Sequence, residues 1–495
     1  MNTPAIVWFR DDLRIADNPA LAAAIRRGGP ILCVYLVQDA QNSGHPGDNP
    51  TQDSSPTGPR ARGAAARWYL HQALGALGAA LAARGGRLDL YDGPVHETLS
   101  RLIAESGAGA LYWNRRYAPA AVAEDEKNKQ AFAGQCEARS FNGALLFEPW
   151  EIRTGAGAPY RVFSPFWRAA RAKLPGALTL APEPGRIDAA PAPSGARPLA
   201  AFGLTPAHPN WAHGFGAVWR AGETAARARL THFIDAQLER YPHDRDRPDA
   251  DATSGLSAAL TFGEISPRQI AAAVLHAMAR RPALGRAGEK FLSEIGWREF
   301  SYGLLFQAAD LAQSAVNPAY DSFPWRDPAR ARDDVAAWWA GRTGYPIVDA
   351  GMRQLWATGV MHNRVRMIVA SFLVKHLLID WRVGERWFWN TLCDADAANN
   401  PASWQWVAGA GADAAPYFRI FNPILQGETF DPDGRYVKRW VPQLAHLPAG
   451  AIHKPWSVGG APDYPAPIVD HAAARARALA ALAAMREGDA NAAAP

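Results

Sequence analysis

The sequence predicts two architectures in one chain: an N-terminal α/β domain with a doubly wound parallel sheet, then an all-α C-terminal domain. Three observations carry this. Short β-branched and aromatic runs alternate with Ala-rich stretches near the N-terminus, and Pro175 to Pro209 is dense in Pro, Gly and Ala with little periodicity. Beyond about Trp219 apolar residues recur at helical spacing, and little reads as strand. Strands alternating with helices build a parallel sheet covered on both faces.

Taken in order, Ala5–Phe9, Ile31–Val37, Arg87–Tyr91 and Ala110–Trp113 read as strands. Asn18–Arg27, Gly63–Arg84 and Glu97–Ser106 read as helices between them, and Thr51–Gly63 as a loop. Gly28-Gly29-Pro30 and Gly85-Gly86 match no phosphate-cradling fingerprint, so the sheet lacks the usual nucleotide signal. Pro175 to Pro209 reads as a linker over the surface. Ile347, Val348, Met352 and Leu355, then Val365, Ile368, Phe372 and Leu373, mark buried helix faces, with Gly344, Gly359 and Pro401 as punctuation. His471 to Pro495 reads as an Ala-rich helix decaying into a disordered tail. There is no internal repeat.

Composition limits the function classes. With 495 residues, 48% hydrophobic and 20% charged, the chain can bury more than one core. A net charge of +5 permits nucleic-acid binding but argues for it only where the charge is clustered. Cys33, Cys136 and Cys393 lie far apart with no metal-ligand spacing, which points to a reduced cytosolic protein without a metal. Charge follows the N-terminal apolar run too soon for a secretory signal, and Lys375 and His376 break the best spanning candidate, Met367 to Trp381. Nineteen Trp are unusual, and core filling accounts for most of them.

The densest polar stretch runs from Asp394 to Trp406, with two carboxylates, paired amides and two indoles in a segment otherwise built for burial. Unpaired, each buried polar atom costs about 1–3 kcal/mol, so a large polar heteroaromatic ligand is the natural partner. Glu294 and Trp297, three apart on a helix, can grip a base by an acid and a ring; the alternative is one core Trp beside a solvated Glu. Thr253-Ser254-Gly255-Leu256-Ser257 opens a helical run, where hydroxyls and free N–H groups suit a diphosphate or simply cap the helix. Arg366 and Asp394 can form a buried pair against a ligand or a structural salt bridge. Arg245, Arg364, Arg419 and Arg435-Tyr436-Val437-Lys438-Arg439-Trp440 interleave charge with aromatics, as a nucleic-acid face or a solvated basic face would.

Together these blocks resemble the DNA photolyase/cryptochrome family, and within it the bacterial cyclobutane pyrimidine dimer photolyases. The resemblance runs through Val7-Trp-Phe-Arg-Asp-Asp-Leu-Arg14, Thr253–Ser257, Phe262-Gly-Glu-Ile-Ser-Pro-Arg268, Trp297-Arg-Glu-Phe300 and Gly344-Tyr-Pro-Ile-Val-Asp349. It continues through Met361–Met367, Asp394–Trp406 and Tyr417-Phe-Arg-Ile-Phe-Asn-Pro423. It implies an antenna domain (1–135), an interdomain linker (136–215), a helical FAD- and DNA-binding domain (216–480) and a tail (481–495).

It also implies roles. Tyr241, Thr253, Ser254, Gly255, Leu256 and Ser257 would hold the FAD phosphates and ribityl chain. Phe291, Asn363, Arg366, Asp394, Ala395 and Asp396 would line the flavin, with Asn400 facing N5. Trp404, Trp381 and Trp338 would pass electrons from the surface to the flavin. Trp297 and Trp406 would sandwich a flipped-out dimer, with Glu294 hydrogen-bonded to it, and Met367 and Gln405 lining its pocket. Arg245, Arg298, Asn363, Arg364 and Arg419 complete the DNA-contacting set. The implied reaction is light-driven: reduced, anionic flavin lends one electron to the dimer and regains it after the ring opens. Alternatives are a (6-4) photoproduct lyase, which looks for more histidines than the single His362 of Met361–Met367, and a cryptochrome-type blue-light receptor. The expected state is a monomer in the bacterial cytosol, associated with the nucleoid and acting on DNA that contains dimers. The chain departs from the pattern at Ala252, where Gly is common, and at Gly255, where Arg is common, so phosphate contacts are expected from elsewhere. Ala120-Ala121 and the lack of a cysteine between Leu304 and Trp325 leave the antenna open: folate, deazaflavin or none.

Overall fold

The computed structural model describes residues 3–38, 60–413, 418–459 and 461–492. Residues 51–59 of the expected loop, Tyr417 and the last residues of the tail therefore lie outside the described residues. The chain divides into two compact units: residues 1–239, 254–307 and 393–396 form one, and 240–253, 308–392 and 397–495 the other.

The first unit is built on a five-stranded parallel sheet in the order β3-β2-β1-β4-β5. Its strands are β1 (Ala5–Phe9), β2 (Ile31–Leu36), β3 (Leu88–Tyr91), β4 (Ala110–Asn114) and β5 (Glu137–Phe141). β1 is buried at every position, as a central strand covered on both faces must be. The two-residue period sorts its side chains: Ala5, Val7 and Phe9 enter one core, Ile6 and Trp8 the other. Helices Pro19–Arg27, Ala64–Ala82, Val95–Ser106 and Pro119–Phe132 cover the faces. The first is capped by Asn18, whose side chain accepts from Leu21 N at 3.1 Å. β5 was not anticipated. Among the described residues it pairs only with β4, and Glu-Ala-Arg-Ser-Phe carries the half-exposed polar pattern of an edge rather than an apolar run. The Pro175–Pro209 stretch has only short 3₁₀ turns and is stitched to the sheet through Ala190 N to Ile31 O at 2.9 Å.

Strand order reverses between β1 and β4, the place where open α/β sheets usually leave a ligand crevice. Here side chains occupy it. Arg10 Nη1 pairs with Asp125 at 2.7 Å and Nη2 donates to Asn114 O at 2.5 Å. Asn114 Nδ2 donates to Asp12 at 2.6 Å and to Asn18 at 2.9 Å, and Trp113 Nε1 donates to Asp125 at 2.8 Å.

The second unit is helical among its described residues. Its main helices are Arg332–Trp339, Pro346–Thr358, Asn363–Ser371, Trp381–Thr391, Asn399–Ala408, Pro423–Phe430 and His471–Ala492. The last runs further than the sequence suggests. Buried Asp349 ties one turn together, accepting from Thr343 N, Thr343 Oγ1, Gly344 N and Tyr464 Oη at 2.6–3.1 Å. A Cβ on Gly344, at φ +79°, would fall 2.4 Å from Ala466, so only glycine lets these segments meet.

Candidate active site

In the first unit, Glu294 and Trp297 share the long Gly285–Gln307 helix. Glu294 pairs with Lys290 at 2.9 Å, one turn back. Trp297 lies flat on Phe163, with centroids 3.7 Å apart and planes 10° apart, so one face of the indole is already used. Arg298 does not reach outward. It is 8% exposed, donates to Ala144 O at 2.8 Å and packs over Tyr302 at 4.6 Å, which removes it from the DNA-contacting set. Phe291 is buried against Phe233.

The Thr253–Ser257 stretch is a loop that enters a five-residue helix, Ser257–Thr261, whose cap is Leu256 without a side-chain cap bond. The hydroxyls are therefore not helix caps. Gly255 sits at φ +62°, and a Cβ there would be 3.0 Å from Arg229 Nε, which donates to Ser254 O at 2.8 Å. An arginine thus stands over the loop after all, delivered from the Glu223–His232 helix. The sequence signal was the missing Arg at 255. Asp394, Ala395 and Asp396 are each 6% exposed, and Tyr302 Oη donates to Asp396 at 2.7 Å.

In the second unit, Arg364 pairs with Asp246 at 2.8 Å and lies over Phe430, while Arg245 approaches the same carboxylate at 3.9 Å and lies over Tyr241. Two of the three expected phosphate clamps therefore converge. Asn363, exposed at the first turn of its helix, and half-buried Met367 share the Asn363–Ser371 helix. Arg366 Nε donates to Met361 O at 2.7 Å; its suggested partner Asp394 belongs to the other unit. Burial holds His362 neutral, its pKa lowered to about 4, against the opposing pull of Asp246.

Asn400 is the most informative side chain. Its Nδ2 donates to Glu385 O at 3.1 Å and Glu385 Oε1 at 2.9 Å. Both partners are acceptors, so the amide orientation is fixed and Oδ1 is turned from Glu385. Further along the Asn399–Ala408 helix, Trp404 packs at 4.9 Å from Phe388 and 6.3 Å from Trp338. A Cβ on Gly384 would meet Trp404 at 2.1 Å, so this glycine, missed in the sequence, makes room for the indole.

Two expectations fail here. Trp338 and Trp381 are fully buried and Trp404 is 2% exposed, so none is the surface end of an electron route. A second, unanticipated stack does reach the surface: Trp339 on Trp387 at 4.9 Å, then Trp387 on Trp356 at 6.0 Å, with Trp356 37% exposed. Gln405 has no amide group to offer a ligand. It is fully buried, takes Val316 N at 2.8 Å and donates to Leu311 O and Ser314 O, which commits its amide to a loop. Trp406 donates to Asp413 O and, with exposed Arg419, borders a cavity.

Residues 5–194 match the DNA photolyase family and residues 291–484 match the FAD binding domain of DNA photolyase. The chain is 48% identical to the deoxyribodipyrimidine photo-lyase of Agrobacterium fabrum, across 98% of each chain.

The chain belongs to the DNA photolyase/cryptochrome family.

It is an enzyme by that kinship. A second relative, the deoxyribodipyrimidine photo-lyase of Escherichia coli, is 38% identical over 98% of this chain and 100% of that protein. A crystal structure of a bacterial class III photolyase from Agrobacterium tumefaciens superposes with a TM-score of 0.89 at 46% identity, covering 98% of both chains. The family fold accounts for an α/β unit without a phosphate loop, because the flavin-binding match lies in the helical part of the sequence. Among the described residues no helix is long and apolar enough to cross a membrane, and no His, Cys, Asp and Glu cluster could hold a metal.

Proposed function

We propose that this chain reverses cyclobutane pyrimidine dimers in DNA under light, with FAD as its cofactor. Asn400 carries the reading. Glu385 fixes its amide so that a carbonyl oxygen, not an NH₂, is presented, and a carbonyl accepts from a ring N–H such as flavin N5–H. Reduced FAD, when bound, supplies one electron to the dimer in light and recovers it after the ring opens. Asp394, Ala395 and Asp396 would line the flavin from a dry wall, with Tyr302 holding Asp396 in place. Arg229, poised over Gly255, would meet the diphosphate from the neighbouring helix.

The substrate side follows the same residues. Trp297, braced by Phe163, would offer its second face to a flipped base. Glu294 would trade its exposed contact with Lys290 for a hydrogen bond to the dimer. Arg245 and Arg364 would exchange Asp246 for flanking phosphates, and Arg419 would add a third contact. Such a substrate would keep the protein at the nucleoid. For electron entry, the Trp356–Trp387–Trp339 stack would lead inward to the adjoining Trp338 and Trp404. An antenna is a separate proposal: a cavity in the first unit, lined by Arg115, Glu148, Trp150 and Lys173, suits a folate whose ring rests on Trp150. Mass analysis of released chromophores tests it.

The deciding experiment illuminates chemically reduced, flavin-loaded protein with dimer-containing DNA. Loss of dimers only in light is expected; dimers left intact would favour the receptor reading. Trp297→Ala should weaken binding to damaged DNA by about 1–3 kcal/mol, and unchanged affinity removes Trp297 from the pocket. Trp404→Phe should abolish light-driven reduction of oxidised flavin while sparing repair by reduced enzyme, and Trp356→Phe should slow the same reduction. Parent-like rates in both would discard the route.

A further inference from the structure

A cavity of about 390 Å³ opens in the helical unit beside the C-terminal end of the Asn399–Ala408 helix, within the size range of small-molecule sites, roughly 300–1,000 Å³. Its walls combine rings and basic side chains with a few aliphatic ones. Tyr320, Trp406, Phe418 and Phe421 supply rings; Lys375, Arg419 and Arg486 supply cations; among the described lining residues there is no carboxylate. The walls are held firmly. Lys375 is 1% exposed, donates to Ala408 O at 2.6 Å and stands 3.0 Å from the Phe418 centroid. Gly409, at φ +95°, lets Tyr320 come so close that a Cβ would lie 2.5 Å from its hydroxyl. Leu482, Met485 and Arg486 close one side from the His471–Ala492 helix, which is fastened by His376 to His471 at 2.8 Å and by Arg477 to His376 O at 2.6 Å.

Lys375 is buried with no carboxylate among the described lining residues, and burial alone lowers its pKa well below the ordinary lysine value, so an anion placed beside it would favour the charged form that burial opposes. Rings at the same place favour a flat heterocycle. Aromatic faces joined to cations, without acids to repel phosphate, bind single-stranded nucleic acid with little regard to sequence.

We propose that this cavity is a nucleotide subsite that takes one base and its phosphate from unpaired DNA. The base would lie among Tyr320, Phe418 and Phe421, and the phosphate between Arg419 and Arg486 with Lys375 behind. The subsite deepens the repair reading, because a duplex opened at a lesion exposes unpaired nucleotides. It does not require a dimer, so the two ideas can fail separately.

The test is equilibrium binding of a labelled, undamaged single-stranded oligonucleotide to the full chain, to Arg486→Glu and to the cavity-filling Met485→Trp. Each variant is expected to bind roughly five- to tenfold more weakly, with light-driven dimer splitting at saturating substrate unchanged. The neutral substitution separates occupancy from charge: weakening in Arg486→Glu alone, or in neither, overturns the subsite. Leu482→Phe serves as a second filler should Met485→Trp lower the melting temperature. A parent that binds the oligonucleotide through this cavity but splits no dimers would sink the repair reading and leave the subsite standing. Competition by deoxyadenylate, seen with the parent and lost with Met485→Trp, would identify a free nucleotide as occupant. Its absence beside weakened oligonucleotide binding would identify the strand.

Discussion

The sheet crevice of the first unit and the Asn399–Ala408 helix of the second are both rich in buried polar groups, yet they are finished differently. At the crevice Arg10, Asp12, Asn18, Asn114 and Asp125 bond chiefly to one another, with Arg10 Nε and Asn114 Oδ1 left without a partner. On the helix, Asn400 is anchored through one half of its amide, leaving the other half to be addressed. A polar cluster bonded mainly within itself fixes a fold, whereas an amide held from one side keeps a group that a ligand can address.

Three substitutions sharpen that contrast, from largest effect to smallest. Arg10→Met should destabilise the first unit by about 3–5 kcal/mol in denaturant unfolding, since Asp125 would be left buried without its cation. Light-driven activity per folded molecule should not change; a selective loss of activity would mean that the crevice has a ligand after all. Gln405→Ala should cost about 2–3 kcal/mol, because Val316 N, Leu311 O and Ser314 O lose partners together. Affinity for DNA at temperatures where the protein is folded should stay at the parent value. A selective affinity loss would restore Gln405 to the pocket. Glu264→Gln should act through pH. Burial raises the Glu264 carboxyl from 4.5 to about 7, opposed by hydrogen bonds from Tyr69 Oη and Gly222 N. The folded chain therefore holds a proton that the unfolded chain gives up, and this contribution to stability is full below pH 4.5 and lost as pH rises through about 7. In melting profiles across that window the variant should lose part of the parent's decline; parallel profiles would show that Glu264 is ionised throughout.

How much was legible follows from which forces are local. β1 to β4 could be read because their buried residues are mostly apolar or aromatic, while β5 was missed because an edge strand is half polar. The polar run from Asp394 to Trp406 marked the richest segment, but the fates of its members depend on distant chain. Gln405 looked like a pocket residue until residues 311–316 took its amide. Arg298 looked like a surface cation until Ala144 and Tyr302 enclosed it. Gly384 gave no sequence signal, and Arg229 only the indirect one of a glycine at 255. Each matters only through a neighbour brought by the fold, a tryptophan ring in one case and a vacant Cβ position in the other.

The outer strand of the sheet has one more effect. Glu137 and Arg139 face each other across 3.2 Å on β5, both well exposed, along a margin that pairs with no further strand among the described residues. Any extended peptide trying to add itself there must first strip water from two formal charges. The Glu-Ala-Arg-Ser-Phe run thus disfavours edge-to-edge strand pairing at this margin.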